Sequence, residues 1–121
     1  MSKACSVVLG LALAGSTVVR VEAQTIGGSY IAAGTNFDGS RYTGTAQITP
    51  EGSTCRIIWH TGGSPSEGLC MLSGKTLAAF YKLGPEYGLI IYELQPDGSL
   101  QGHWSVAGKQ GVGTEQLVPH K

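Results

Sequence analysis

From Ser29 to Val118 the chain is cut by glycine, proline or aspartate roughly every ten residues, and between the cuts apolar residues alternate with polar ones. A period of two puts successive side chains on opposite faces of a strand, and no stretch carries the 3.6-residue repeat of an amphipathic helix. In Tyr42-Thr43-Gly44-Thr45-Ala46-Gln47-Ile48-Thr49 the polar residues Thr43, Thr45, Gln47 and Thr49 share one face, while Tyr42, Ala46 and Ile48 share the other. Leu100 to Val106 repeats the pattern, with Leu100, Trp104 and Val106 on one side and Gln101, His103 and Ser105 on the other.

Read this way, the strands run from Ser29 to Thr35, Arg41 to Thr49, Thr54 to His60, Glu67 to Leu72, Thr76 to Lys82, Tyr87 to Leu94, Leu100 to Val106 and Gly113 to Val118. Their links, such as Asn36-Phe37-Asp38-Gly39-Ser40, Pro50-Glu51-Gly52, Gly84-Pro85-Glu86 and Gln95-Pro96-Asp97-Gly98, are short and made of turn formers. Such links join antiparallel neighbours in sequence order. About eight strands of this kind close into an up-and-down barrel or flatten into a sandwich, and closure removes the exposed edges. An all-β, small antiparallel up-and-down β-barrel is the expected fold. Glycines paired with large aromatics suggest an interior filled by side chains. A faint repeat, in which Asp38-Gly39-Ser40 and Asp97-Gly98-Ser99 precede strands containing Gly44 and Gly102, is read more readily from the preference of Asp-Gly for hairpin turns than from the alternative, an internal duplication.

The N-terminus reads differently. Lys3 precedes an apolar run from Ala4 to Val19, followed by the small-residue site Val21-Glu22-Ala23. This is the pattern of a helical signal peptide over 1–23, cleaved after Ala23, with a single all-β domain over 24–121. The run is diluted by Gly10, Gly15, Ser16 and Thr17 and falls short of the roughly 20 residues that span a bilayer, so no stable membrane insertion is expected after cleavage. Ser16 stands where a lipoprotein would need its cysteine. The expected location is periplasmic or secreted.

Cleavage removes Cys5 and leaves Cys55 and Cys70 in an oxidising compartment. The two are equidistant from a turn centred between Gly62 and Gly63, so they face each other across the expected hairpin. A disulfide is geometrically allowed there; the alternative is a pair of free thiols acting as small buried hydrophobes.

Composition narrows the function classes. Eight basic residues balance eight acidic ones, so no strong field steers the chain to nucleic acid. His60, His103 and His120 have no second ligand at metal-binding spacing, and Gly62-Gly63-Ser64-Pro65 fits a turn better than a nucleophile loop. Glu67, Glu93 and Glu115 are each able to meet a histidine in space, and the sequence does not single one out. No enzyme activity, cofactor or metal is expected. Trp59 shares a face with Ile57 and Cys55, and Trp104 with Leu100 and Val106, which marks both as core rings. Tyr81, Tyr87 and Tyr92 remain as candidate contact residues, two of them flanking the Gly84-Pro85-Glu86 turn.

Several longer patterns recur together: Gly34-Thr35-Asn36-x-Asp38-Gly39-Ser40-x-Tyr42-x-Gly44, then Arg56-Ile57-Ile58-Trp59. Tyr92-x-Leu94-x-x-Asp97-Gly98-x-Leu100-x-Gly102-x-Trp104 and Gly113-Thr114-Glu115-x-Leu117 complete the set. Together they resemble a family of small exported alphaproteobacterial proteins commonly labelled fibronectin-binding protein. The resemblance covers almost the whole expected mature chain and implies export, a β fold and a protein partner. Cys55 and Cys70 lie outside its pattern. Three functions compete: a binding module contacting a protein partner through its surface or loops, a small-molecule-binding barrel of the avidin or lipocalin type, and a hydrolase inhibitor presenting the segment Thr61 to Ser66.

Overall fold

The computed structural model describes residues 25–120; the expected signal peptide and its cleavage site lie outside the described residues. Eight strands follow in chain order: β1 (Gly28–Thr35), β2 (Arg41–Glu51), β3 (Thr54–His60), β4 (Ser66–Ser73), β5 (Thr76–Leu83), β6 (Glu86–Leu94), β7 (Leu100–Val106) and β8 (Gly113–Pro119). Each pairs antiparallel with the next, and β8 returns to β1 to close the barrel. The expected strands are all present, with their ends moved by a residue or two. The largest shift is in β2, which runs through Pro50 where the sequence suggested a turn. Pairing of β1 with β2 stops at Ile48, so Pro50 lies past that neighbour and its missing N–H breaks no bond on that side, while it still pairs with Cys55 on β3.

The two Asp-Gly-Ser loops have the same construction at opposite ends of the barrel. Asp38 accepts hydrogen bonds from the backbone N–H and hydroxyl of Ser40, and Asp97 does the same with Ser99. Gly39 and Gly98 take φ values of 87° and 88°, the left-handed geometry that completes a type I turn with a glycine bulge. Turn chemistry is sufficient to account for their likeness.

Alternation decides what faces inward, but volume decides how the interior is filled. At the end closed by the β2–β3, β4–β5 and β6–β7 turns, Tyr30, Ile48, Ile57, Leu77, Leu94, Leu100 and Leu117 interlock as a buried core. Each buried Leu or Ile contributes about 1.5–3 kcal/mol of transfer free energy. Cys55 and Cys70 are directly paired in register, both buried, and joined by a disulfide with a Cα–Cα distance of 4.9 Å. The bond lies in the core of this end, where it ties β3 to β4.

Towards the other end the inward positions change character. They hold Gly34, Gly44, Gly68, Gly88 and Gly113 among aromatic rings, and the expected filling by side chains stops there. The reason lies in the pairing: Gly34 is opposite Tyr42, Gly68 and Gly88 are each opposite Tyr81, and Gly113 is opposite Trp104. Each ring lies over its glycine, against the wall. A Cβ on Gly88 would stand 2.5 Å from the Tyr81 hydroxyl, and one on Gly113 would collide with the Trp104 indole. Rings flattened onto the wall leave the axis of the barrel open.

Candidate functional site

Five residues lie side by side across five strands at mid-height: Tyr42 on β2, Gly34 on β1, Glu115 on β8, Gly102 on β7 and Tyr92 on β6. A glycine on each side of Glu115 leaves its carboxylate uncrowded, and each tyrosine leans over its glycine towards the acid. The Tyr42 hydroxyl reaches Oε1 of Glu115 at 2.8 Å, and that of Tyr92 donates to Oε2. From the far wall, Trp59 Nε1 donates to Oε2 at 2.9 Å and lies 3.0 Å from the Tyr92 oxygen. Three donors on two chain segments and an opposing strand therefore hold one acid in place.

Glu115 is only 5% exposed. Burial raises its pKa, while hydrogen bonds from Tyr92, Tyr42 and Trp59 work in the opposite direction without cancelling the rise. The same burial, with Glu115 close by, raises the phenols of Tyr42 and Tyr92, and that of Tyr81 is pushed up to about 12. All three phenols are therefore donors at neutral pH. The carboxyl holds its proton more tightly than an ordinary glutamate, and it is the acid of this cluster able to give a proton to, or take one from, a molecule that reaches it.

Above Glu115 the barrel opens as a cup of about 880 Å³. Its rim is formed by Phe37 and Asp38 of the β1–β2 loop, Thr61 to Ser64 of the β3–β4 loop, and Lys109 of the β7–β8 loop. Trp59 on β3 and Trp104 on β7 enter from strands four apart around the eight-stranded ring, so they form opposite walls. Phe37 stacks on Trp104 with ring centroids 4.8 Å apart, Tyr42 meets Trp104 edge-on at 6.3 Å, and Tyr81 meets Trp59 edge-on at 5.7 Å. Trp104 Nε1 donates to the Thr114 carbonyl at 3.1 Å, which pins the indole against β8. At the rim the Lys109 ammonium lies 2.6 Å from the Glu86 carboxylate.

The three tyrosines singled out from sequence do not form one surface. Tyr81 is half-buried on the cup wall, and Tyr92 is buried beneath it, bonded to Glu115. Tyr87 points outward, 51% exposed, beside Phe80. Trp59 is buried as expected, but Trp104 is only partly buried and borders open space. Glu115 was one of three undistinguished carboxylates in the sequence. A signal was present: in Gly113-Thr114-Glu115-Gln116-Leu117, Glu115 shares its face with Gly113 and Leu117, which places a carboxylate in the inward register of the strand. Among the described residues no cluster of His, Cys, Asp and Glu suits a metal ion.

The outer face is less uniformly polar than its threonines suggest. Leu69, Met71, Phe80, Leu89 and Ile91 stand exposed on β4, β5 and β6, with Phe80 paired between Leu69 and Leu89.

Fold and site together define a closed eight-stranded meander barrel, filled at one end and hollow at the other. No family model matches the sequence, and no curated protein does. Solved structures do match. The chain is similar to a redesigned β-barrel, with a TM-score of 0.70 and 16% identity over 79% of this chain and 92% of that one. A second redesigned barrel, mFAP1 bound to DFHBI, gives a TM-score of 0.68 and 19% identity over 78% and 94%. A mutant of the fluorescent protein UnaG gives 0.50 and 14% over 81% and 97%. At these identities the likeness establishes the shared barrel fold.

Proposed function

We propose that this chain is an exported, non-catalytic small-molecule-binding barrel that holds its ligand in the open cup. The observation that carries the reading is the cup itself: about 880 Å³ walled by aromatic rings, with a single buried carboxylate held at its floor. Ligand sites are of this size and makeup, mostly apolar with a few fixed polar groups that orient the guest. Support comes also from mFAP1, a barrel of the same architecture bound to a small molecule. The buried Cys55–Cys70 disulfide fits an oxidising, extracytoplasmic compartment.

The test is titration with a neutral, environment-sensitive dye such as Nile red, with the parent protein set against Val106→Trp. Val106 lines the cup, and an indole there would occupy part of the cavity without touching the core of the closed end. One dye per chain is expected for the parent and none for a variant that still melts cooperatively. Equal dye binding by both would reject the cup as the site.

A protein-contact reading has its own observation, the exposed stripe of Leu69, Phe80 and Leu89 with Tyr87 beside it. Fibronectin, the partner implied by the resemblance, is the first to try, with Phe80→Ser as the control. Binding that survives the substitution would remove this face from consideration.

A further inference from the structure

The charge inside the cup is uneven in a way that the balanced chain as a whole is not. Among the described residues its lining carries three carboxylates, Asp38 and Glu86 at the solvent-facing rim and Glu115 buried at the floor, and a single ammonium, Lys109, which Glu86 already engages. No arginine or histidine among the described residues lines it. The acceptors of Glu115 are also unequally used. Among the described residues Oε2 receives both Trp59 and Tyr92, whereas Oε1 receives Tyr42 alone. A carboxylate oxygen has room for two donors, so Oε1 retains one vacant acceptor direction. The walls around it are built from the rings of Tyr42, Trp59, Tyr81 and Trp104, whose π faces attract a cation through the ring quadrupole.

Building on the small-molecule reading, we propose that the cup selects flat, largely apolar ligands bearing a protonated nitrogen, whose N–H is donated to Oε1 of Glu115 while the ring system lies between Trp59 and Trp104. An anion of the same shape would meet the buried Glu115 carboxylate, with the one described ammonium at the rim already engaged by Glu86. A neutral analogue would keep the apolar contact with these walls and lose the charge-assisted hydrogen bond.

A matched trio separates these cases: 1-naphthylmethylammonium, 1-naphthylmethanol and 1-naphthoate, titrated calorimetrically at neutral pH and low salt against the full domain. The ammonium is expected to bind about tenfold more tightly than the alcohol, and the carboxylate more weakly than either. In Glu115→Gln the ratio of ammonium to alcohol affinity should fall towards one. The ranking on the unmodified protein stands as a test even if that variant fails to fold. Naphthoate binding as tightly as the ammonium, or a preference for the ammonium that persists in Glu115→Gln, would overturn the ligand class while leaving the cup as a binding site. Failure of all three, together with Nile red, would overturn the small-molecule reading itself.

Discussion

The two ends of this barrel obey the same alternation and use it for opposite purposes. At the closed end the inward positions hold Ile48, Ile57, Leu77, Leu100 and Leu117, branched side chains that meet on the axis and leave no room. At the open end the inward positions hold glycines and rings, and each ring lies along the wall over a facing glycine instead of reaching across. The first arrangement makes stability and the second makes space. Glu115 sits at the boundary, supported from below by the core and addressed from above by whatever enters the cup.

The comparison is tested most severely by truncating one residue at each end. Leu100 is fully buried, and Leu100→Ala should cost about 3–4 kcal/mol in urea denaturation, as expected where a core cannot collapse around the void. Loss of the disulfide, by Cys55→Ala with Cys70→Ala, should cost about 3 kcal/mol on the chain-entropy account of a loop this short. Neither change should alter the specificity of the cup in the folded fraction. Trp104→Ala should cost less, about 1–2 kcal/mol, because its indole is already partly exposed and no closed cavity forms when it goes. It should nonetheless weaken Nile red binding. A loss of stability equal to that of Leu100→Ala would mean that the open end is core after all.

Titration sharpens the boundary. The raised pKa of Glu115 means that the folded chain holds this proton more tightly than the unfolded chain, whose value is near 4.5. The contribution of this group to stability is then fully present below about pH 4.5 and is lost as pH rises through the folded value. Asp38 and Asp97 behave oppositely: the hydrogen bonds from Ser40 and Ser99 depress their pKa values, and their contributions fade as pH falls. Subtracting the stability curve of Glu115→Gln from that of the parent removes these terms. The difference should decline from pH 4.5 towards neutrality, and a difference independent of pH would mean that the acid is not desolvated. Tyr42, Tyr92 and Tyr81, which face Glu115, stay protonated throughout that range.

The strands and the disulfide were legible because they depend on period and on position. Alternation needs only the distinction between apolar and polar, and Cys55 and Cys70 meet because the Gly62–Gly63 turn sets the register. The cup depends on volumes compared across neighbouring strands, which a single run does not display. Gly34 and Gly102 become a cradle only when β1 and β7 are known to flank β8, and β1 reaches β8 only through closure of the ring. The same limit explains Trp104. Its alternation with Gln101, His103 and Ser105 placed it inward correctly, but not at a height where the interior is empty. The three tyrosines part company for a simpler reason, which concerns Tyr87. It lies one position out of phase with Gly88, so it faces solvent while Tyr81 and Tyr92 face the axis.

The smallest expected effect concerns the outside of the hollow half. Leu89 is 57% exposed, opposite Phe80 on β5 and Ser105 on β7, and its side chain points away from Gly88 and Ile90, which face the cup. Replacing it by lysine removes an exposed apolar group whose burial contributes little to folding, so Leu89→Lys should change stability by no more than about 0.5 kcal/mol. Nile red affinity should be unchanged as well, because a strand transmits side-chain identity to one face only and the backbone of β6 is held by pairing on both sides. The comparison of a filled and a hollow end assumes that the wall between cup and solvent is this kind of rigid sheet. If Leu89→Lys weakens dye binding in proportion to a loss of stability, the open half deforms with its outer surface, and the cup is a property of the whole wall, outer stripe included, and not of its inward residues alone.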